Sequence, residues 1–199
     1  MNEIGPATED DMVLAFLQAE VESPRFRQVC LHFLQKAGRS REELIDNADL
    51  GSNDDNRARR ALLGETRGFK CNRYLFTGFP DTVRWRSIEV DCDEMKAFLY
   101  ANDGTLLAAS GGTRMVFDGA QNAESRVAPL DFCERVLAVR GRIDSGDRFP
   151  RLVAIETTDR RIIIAEGNTR ATAYVLARPT YPIAMLIGSS LEFGNWAYI

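Results

Sequence analysis

Five consecutive residues, Glu166-Gly167-Asn168-Thr169-Arg170, combine a carboxylate, a flexible link, an amide, a hydroxyl and a guanidinium, with no apolar side chain among them. They lie between Ile162 to Ile164, which read as a buried strand, and the small and apolar residues 171 to 177, which read as a helix. A chain that turns from strand to helix within about three residues needs backbone angles that Gly167 tolerates. Asn168 is a favoured N-cap, so its side chain is expected to hold an amide of the first turn. Thr169 and Arg170 then fall in that turn, whose amides have no intrahelical partner. Free amides, a glycine that lets a ligand come close and a guanidinium able to grip a phosphate bidentately together make an anion site. Glu166 is out of place beside a phosphate unless it holds a metal ion or a ribose hydroxyl, or pairs with Arg170. A magnesium ion shared between this carboxylate and phosphate oxygens reconciles the charges. A plain capped turn closed by a Glu166–Arg170 pair has the same sequence.

A second polar stretch, Ser110-Gly111-Gly112-Thr113-Arg114 with Asp118 beyond it, carries similar groups. Arg114 and Arg170 together would neutralise a triphosphate or a nucleic-acid backbone. An ordinary loop is the alternative. Three neighbouring arginines, Arg57, Arg59 and Arg60, offer either a solvated face paired with Asp54 and Asp55 or a phosphate-binding patch.

Composition narrows the chemistry. The four cysteines, Cys30, Cys71, Cys92 and Cys133, are scattered without a C-x-x-C pair, and His32 is the only histidine. Neither a zinc site nor a disulfide framework is expected from such spacing. His32 sits among Leu31, Phe33 and Leu34 and reads as a buried or half-buried helix position rather than as a base. A net charge of −4 does not favour nucleic acid, although a local basic face is compatible with it. No apolar run approaches the roughly 20 residues that span a bilayer, and the acidic N-terminus does not resemble a secretion signal, so a cytoplasmic location is expected.

The elements that must position these groups fall into two regions. Residues 8 to 66 read as helices. Thr8 precedes acidic residues, Ser23-Pro24 restarts a helix that Gly38 ends, and Ser40 with Glu43 forms a capping box. Residues 68 to 87 read as an irregular aromatic connector, residues 91 to 100 as one further helix, and "TLLAAS" as a strand or a helix start. Pro129 and Asp131 open an amphipathic helix, with Asp131 and Glu134 as a cap-like pair. Leu152 to Ile155 and Arg161 to Ala165 form a hairpin, a helix follows from Thr169, and Pro182 to Ile187 is a last strand. The aromatic tail, Phe193, Trp196 and Tyr198, is expected to pack over the sheet or against the N-terminal helices, with base stacking as the alternative. The expectation is an α+β protein, with a helical region in residues 1 to 75 packed on a small mixed sheet with helices in residues 76 to 199.

The stretch "IIIAEGNTRATAY" resembles the signature of the ParB/sulfiredoxin-like superfamily, in which a strand runs into Gly-His-x-Arg or a close variant and then a helix. The ParB-like nuclease domains and the free serine kinases are the nearest in pattern. The resemblance covers residues 126 to 190. It implies that Gly167, Asn168, Thr169 and Arg170 hold nucleotide phosphates, that Glu166 matches the acidic residue before the glycine as catalytic base or metal ligand, and that an upstream segment, matched by chemistry to Ser110 and Arg114, lines the same pocket. The implied cofactor is a nucleoside di- or triphosphate with Mg2+. Relatives use ATP, ADP or CTP. Asn168 stands where many of them carry histidine, and asparagine cannot accept a proton as a base; phosphate binding survives that change more easily than catalysis. No cysteine lies in the motif, which removes sulfiredoxin chemistry. The leading expectation is a nucleotide-binding protein, with hydrolysis or phosphotransfer at this turn, whose Arg170→Ala variant folds but no longer binds. The alternatives are a DNA-associated nuclease or partition-type module, with Arg57, Arg59, Arg60, Arg114 and Arg170 on one face, and a non-catalytic adaptor.

Overall fold

Two runs, "LVAI" and "IIIA", are apolar at every position, whereas a strand with one wet face alternates. Continuous apolarity requires cover on both sides of a sheet. The computed structural model, which describes residues 1–199, meets that requirement. Its elements are β1 (Asn2–Ala7), α1 (Glu9–Glu20), α2 (Arg27–Ala37), α3 (Asn53–Arg67), β2 (Arg84–Val90), α4 (Cys92–Met95), β3 (Leu99–Tyr100), α5 (Gly104–Ala109), α6 (Val116–Glu124), α7 (Leu130–Asp144), β4 (Leu152–Glu156), β5 (Ile162–Glu166), α8 (Asn168–Ala177) and β6 (Ile183–Ser189). The six strands form one mixed sheet in the order β1-β2-β6-β4-β5-β3. The chain is an α+β protein. The β4–β5 pair is the antiparallel hairpin expected, while β6 lies parallel to β4 and β3 parallel to β5.

Period-two alternation sorts the side chains into two cores. Leu152, Ala154, Ile162, Ile164, Met185 and Ile187 face α4, α6, α7 and α8. Val153, Ile155, Ile163, Ala165 and Leu186 face α1, α2 and α3, where Met12, Phe16, Cys30, Leu62 and Leu63 meet them. Phe193 and Trp196 join this second core, and the indole Nε1 of Trp196 donates to the Leu75 carbonyl at 2.6 Å.

Several local expectations are corrected. Residues 2 to 7 form an edge strand, although "NEIGPA" contains a proline, a residue that sheets confine largely to their edges. The expected connector, residues 68 to 87, runs into β2 at Arg84, and Trp85, Ile88 and Val90 of that strand are buried. The helix expected over 91 to 100 stops at Met95, and the chain then extends into β3. Of the two readings of "TLLAAS" the helix holds: α5 is started by Asp103, whose carboxylate accepts the amides of Thr105 and Leu106, and ends at Ala109. Part of the 110 to 120 stretch is α6, which packs through the small residues Gly119, Ala120 and Ala123. The helix α7 has no side-chain cap, and Asp131 instead pairs with Arg135 at 2.6 Å. His32 is exposed.

Candidate functional site

The C-terminal ends of α1 and α3 converge on the N-terminus of α8. Between them lies a cleft of about 1010 Å³, whose lining includes Glu20, Arg25, Phe26, Arg67, Tyr74, Tyr198 and the whole run from Ala165 to Arg170. The turn singled out in the sequence therefore opens into this cleft.

Its local geometry differs from the expectation at three residues. Gly167, not Asn168, is the N-cap, with φ of +96°, a left-handed conformation that glycine adopts without strain. A Cβ here would also sit 2.4 Å from Leu152 Cδ2 and 3.0 Å from Arg170 Nη2, so packing within the chain already requires the glycine. Asn168 is the first helical residue and caps nothing; its side-chain oxygen is buried without a hydrogen-bond partner. The first helix-closing bond is Ala171 N–H to Gly167 C=O at 2.8 Å, and no side chain caps the amides of the preceding turn. Arg170 turns inward. It is only 8% exposed, with Nη1 donating to the Pro150 carbonyl at 2.5 Å and Nη2 to Glu166 Oε1 at 3.3 Å.

Two residues that sequence reasoning passed over complete the cleft. Glu20, in the last turn of α1, is 3% exposed and accepts no hydrogen bond; its ion pair is with Arg67 Nε at 3.0 Å. That contact is close but poorly aligned, since Arg67 Nε makes no hydrogen bond. Arg67, in the last turn of α3, also reaches Glu166 Oε2 through Nη2 at 3.4 Å. One guanidinium thus bridges two carboxylates from different layers. Phe26 backs it: the Arg67 and Arg25 guanidiniums lie 5.0 and 5.1 Å from the ring centroid. Burial, and then the neighbouring Glu166 carboxylate, push the Glu20 carboxyl up to about 8, against the opposing pull of Arg67, Arg25 and Arg170.

The remaining sequence candidates lie elsewhere. Ser110 and Arg114 do not line the cleft. Ser110 Oγ donates to the Leu106 and Leu107 carbonyls and accepts the Arg114 amide. The Arg114 guanidinium is spent on the Tyr100, Tyr198 and Ile199 main-chain oxygens, so it ties the aromatic tail to β3. Arg57, Arg59, Arg60, Arg114 and Arg170 do not form one face. Arg59 is fully buried and holds the Leu44 and Asp49 carbonyls and Asn56 Oδ1, while Arg60 pairs with Glu9 and Asp10.

Glu166, the candidate metal ligand and base, has one guanidinium on each carboxylate oxygen. A magnesium ion arriving with a nucleotide would take Glu166 in exchange for one of these contacts, in keeping with the single carboxylate that such ions commonly use. No group of three or more His, Cys, Asp or Glu side chains is arranged to hold a metal ion. No helix is long and apolar enough to cross a membrane.

No family model, no curated protein and no solved structure matches this chain.

Proposed function

We propose that this protein binds a phosphorylated small molecule, with nucleotides the leading class, in the cleft between α8 and the ends of α1 and α3. The observation that carries the reading is the uncapped amide turn of α8 opening into a 1010 Å³ cleft that also presents Arg25 and Arg67. An anion seated there gains the amides and the helix dipole together with a guanidinium. The resemblance of residues 126 to 190 to the ParB/sulfiredoxin-like superfamily supports the same reading. Phosphate contact shifts from Arg170, whose donors are engaged inside the fold, to Arg67. Tyr74, Phe26 and Tyr198 line the cleft with the aromatic surface that a base could use.

Hydrolysis or phosphotransfer would need a group able to take a proton from water or a hydroxyl. Glu166, held by a guanidinium on each oxygen, would serve only once the ligand draws one of them away. Isothermal titration with ATP, CTP, ADP and GTP in the presence of magnesium tests the binding. The wild type is expected to bind at least one of them, and Arg67→Ala to weaken it by roughly tenfold or more. No heat from any of the four with the wild type ends the nucleotide reading.

A further inference from the structure

Arg67 is the only cation in ion-pair contact with Glu20, and it is also the guanidinium nearest in role to an incoming anion, because it reaches across to Glu166 beside the α8 turn. An anion on the α8 amides and the Glu20 carboxylate would therefore compete for one positive group. We propose that anion binding in this cleft is coupled to proton uptake: Arg67 turns to the ligand, and Glu20, left without its counter-charge in a buried position, takes a proton from solvent. This inference rests on the anion-binding reading above.

Three observations support it independently of any titration behaviour. Glu20 is 3% exposed, lines the cleft and has Arg67 as its one ion-pair partner. Its contact with Arg67 Nε is misaligned, so little directional bonding is lost when the guanidinium moves. Arg67 is held from behind by the Phe26 ring, whose attraction tolerates sliding and reorientation of the guanidinium plane. The Asn168 side-chain oxygen, buried and without a partner at the same turn, is an acceptor that a hydroxyl or amino group of a larger ligand could satisfy and a bare sulfate could not.

The groups around Glu20 set the direction. Arg67 from α3, Arg25 from the loop before α2 and Arg170 from α8 favour its charged form, while Glu166 from β5 opposes it; the buried Cys30 thiol of α2 also lies within its electrostatic reach. A dianion added to this set joins Glu166 on the opposing side, and it engages the cations that otherwise help Glu20 ionise. The proton moves from buffer to carboxylate, and no other bond is made or broken.

Sulfate is the probe of choice, because its charge is fixed across the relevant pH range. Calorimetric titration at pH 8 in buffers of different ionisation enthalpy reads the protons taken up. The wild type is expected to take up roughly half a proton per sulfate, and its affinity should fall by up to tenfold per unit as pH rises above 8. Glu20→Gln should bind sulfate with no proton uptake and with a flat pH profile. Wild-type binding without uptake overturns the proposal, as does equal uptake by Glu20→Gln. If that variant does not fold, the wild-type affinity profile decides by itself, and a flat profile overturns the proposal. Nucleotide binding without sulfate binding also overturns it, since a bare dianion should suffice. Failure of the wild type to bind either anion overturns the underlying anion-binding reading instead.

Discussion

Replacing Glu20 by glutamine removes a buried carboxyl while keeping its shape, and the expected consequence is a stability difference that depends on pH. Between the ordinary 4.5 and about 8, the folded chain keeps the Glu20 proton after the unfolded chain has lost it. The folded state then binds more protons than the unfolded one, so the contribution of this group to stability is fully present below 4.5 and is lost as pH rises through about 8. At 1.36 kcal/mol per unit of displacement, the loss reaches roughly 4 kcal/mol by pH 8, at a slope of about 1.4 kcal/mol per pH unit between pH 5 and 7. Glutamine has no such dependence. It also leaves Arg67 with Glu166 as its one carboxylate partner, a cost that adds a nearly constant offset. The diagnostic is therefore the slope of the difference between the two proteins, not its sign at any one pH; titrating groups remote from Glu20 cancel from it. Urea unfolding of both proteins at pH 5, 6, 7 and 8 measures it. Parallel stability profiles would refute the reasoning, because they would mean that Glu20 ionises as readily in the fold as outside it.

Three further variants test the supports of the fold and the cleft. Arg170→Ala is expected to cost about 3 kcal/mol or more, seen as a Tm lower by roughly 10 °C, because it frees the Pro150 carbonyl and one oxygen of Glu166; an unchanged Tm would restore Arg170 to a purely ligand-facing role. Arg59→Ala leaves two carbonyls and the Asn56 side chain without their shared donor, and a loss of about 3 kcal/mol or more in urea unfolding is expected. Gly119→Ala would place a methyl 2.1 Å from the hydroxyl of Tyr100, which bonds Thr172 Oγ1 at 2.7 Å; the α6–α8 contact should loosen, at a cost of about 1–3 kcal/mol read by thermal melting.

The half of the sheet next to the turn was legible because its residues are unambiguous. Ile162 to Ile164 and Leu152 to Ile155 are apolar on both faces, and Gly167 marks the corner between β5 and α8. The edge was not. β1 carries Gly5 and Pro6 and is mostly exposed, so nothing in its pattern separates it from a loop. In α6 the buried residues beyond Val116 are glycine and alanines, which give a weak apolar signal. The cleft itself was half visible. Glu166 to Arg170 stood out as a polar interruption in an apolar run, whereas Glu20 and Arg67 are charged residues in the last turns of helices, where solvated charges are ordinary. Only the approach of α1 and α3 to β5 makes them unusual, and that approach rests on pairings almost a hundred residues or more apart in the chain. Asparagine is a favoured cap by residue type, but the left-handed Gly167 takes the position, where Leu152 and Arg170 leave no room for a side chain.

The walls of the cleft run from Ala19 to Tyr198, so no contiguous stretch of chain owns it. It comes into being only after the sheet has received helices on both sides and the aromatic tail has returned to β3. An occupant would consequently recognise nothing but the finished molecule, and its binding would hold the two ends of the polypeptide together like a clasp. Gains in melting temperature across a small-molecule library that are lost in Arg67→Ala would then report on this cavity, without any prior assumption about the chemistry performed inside it.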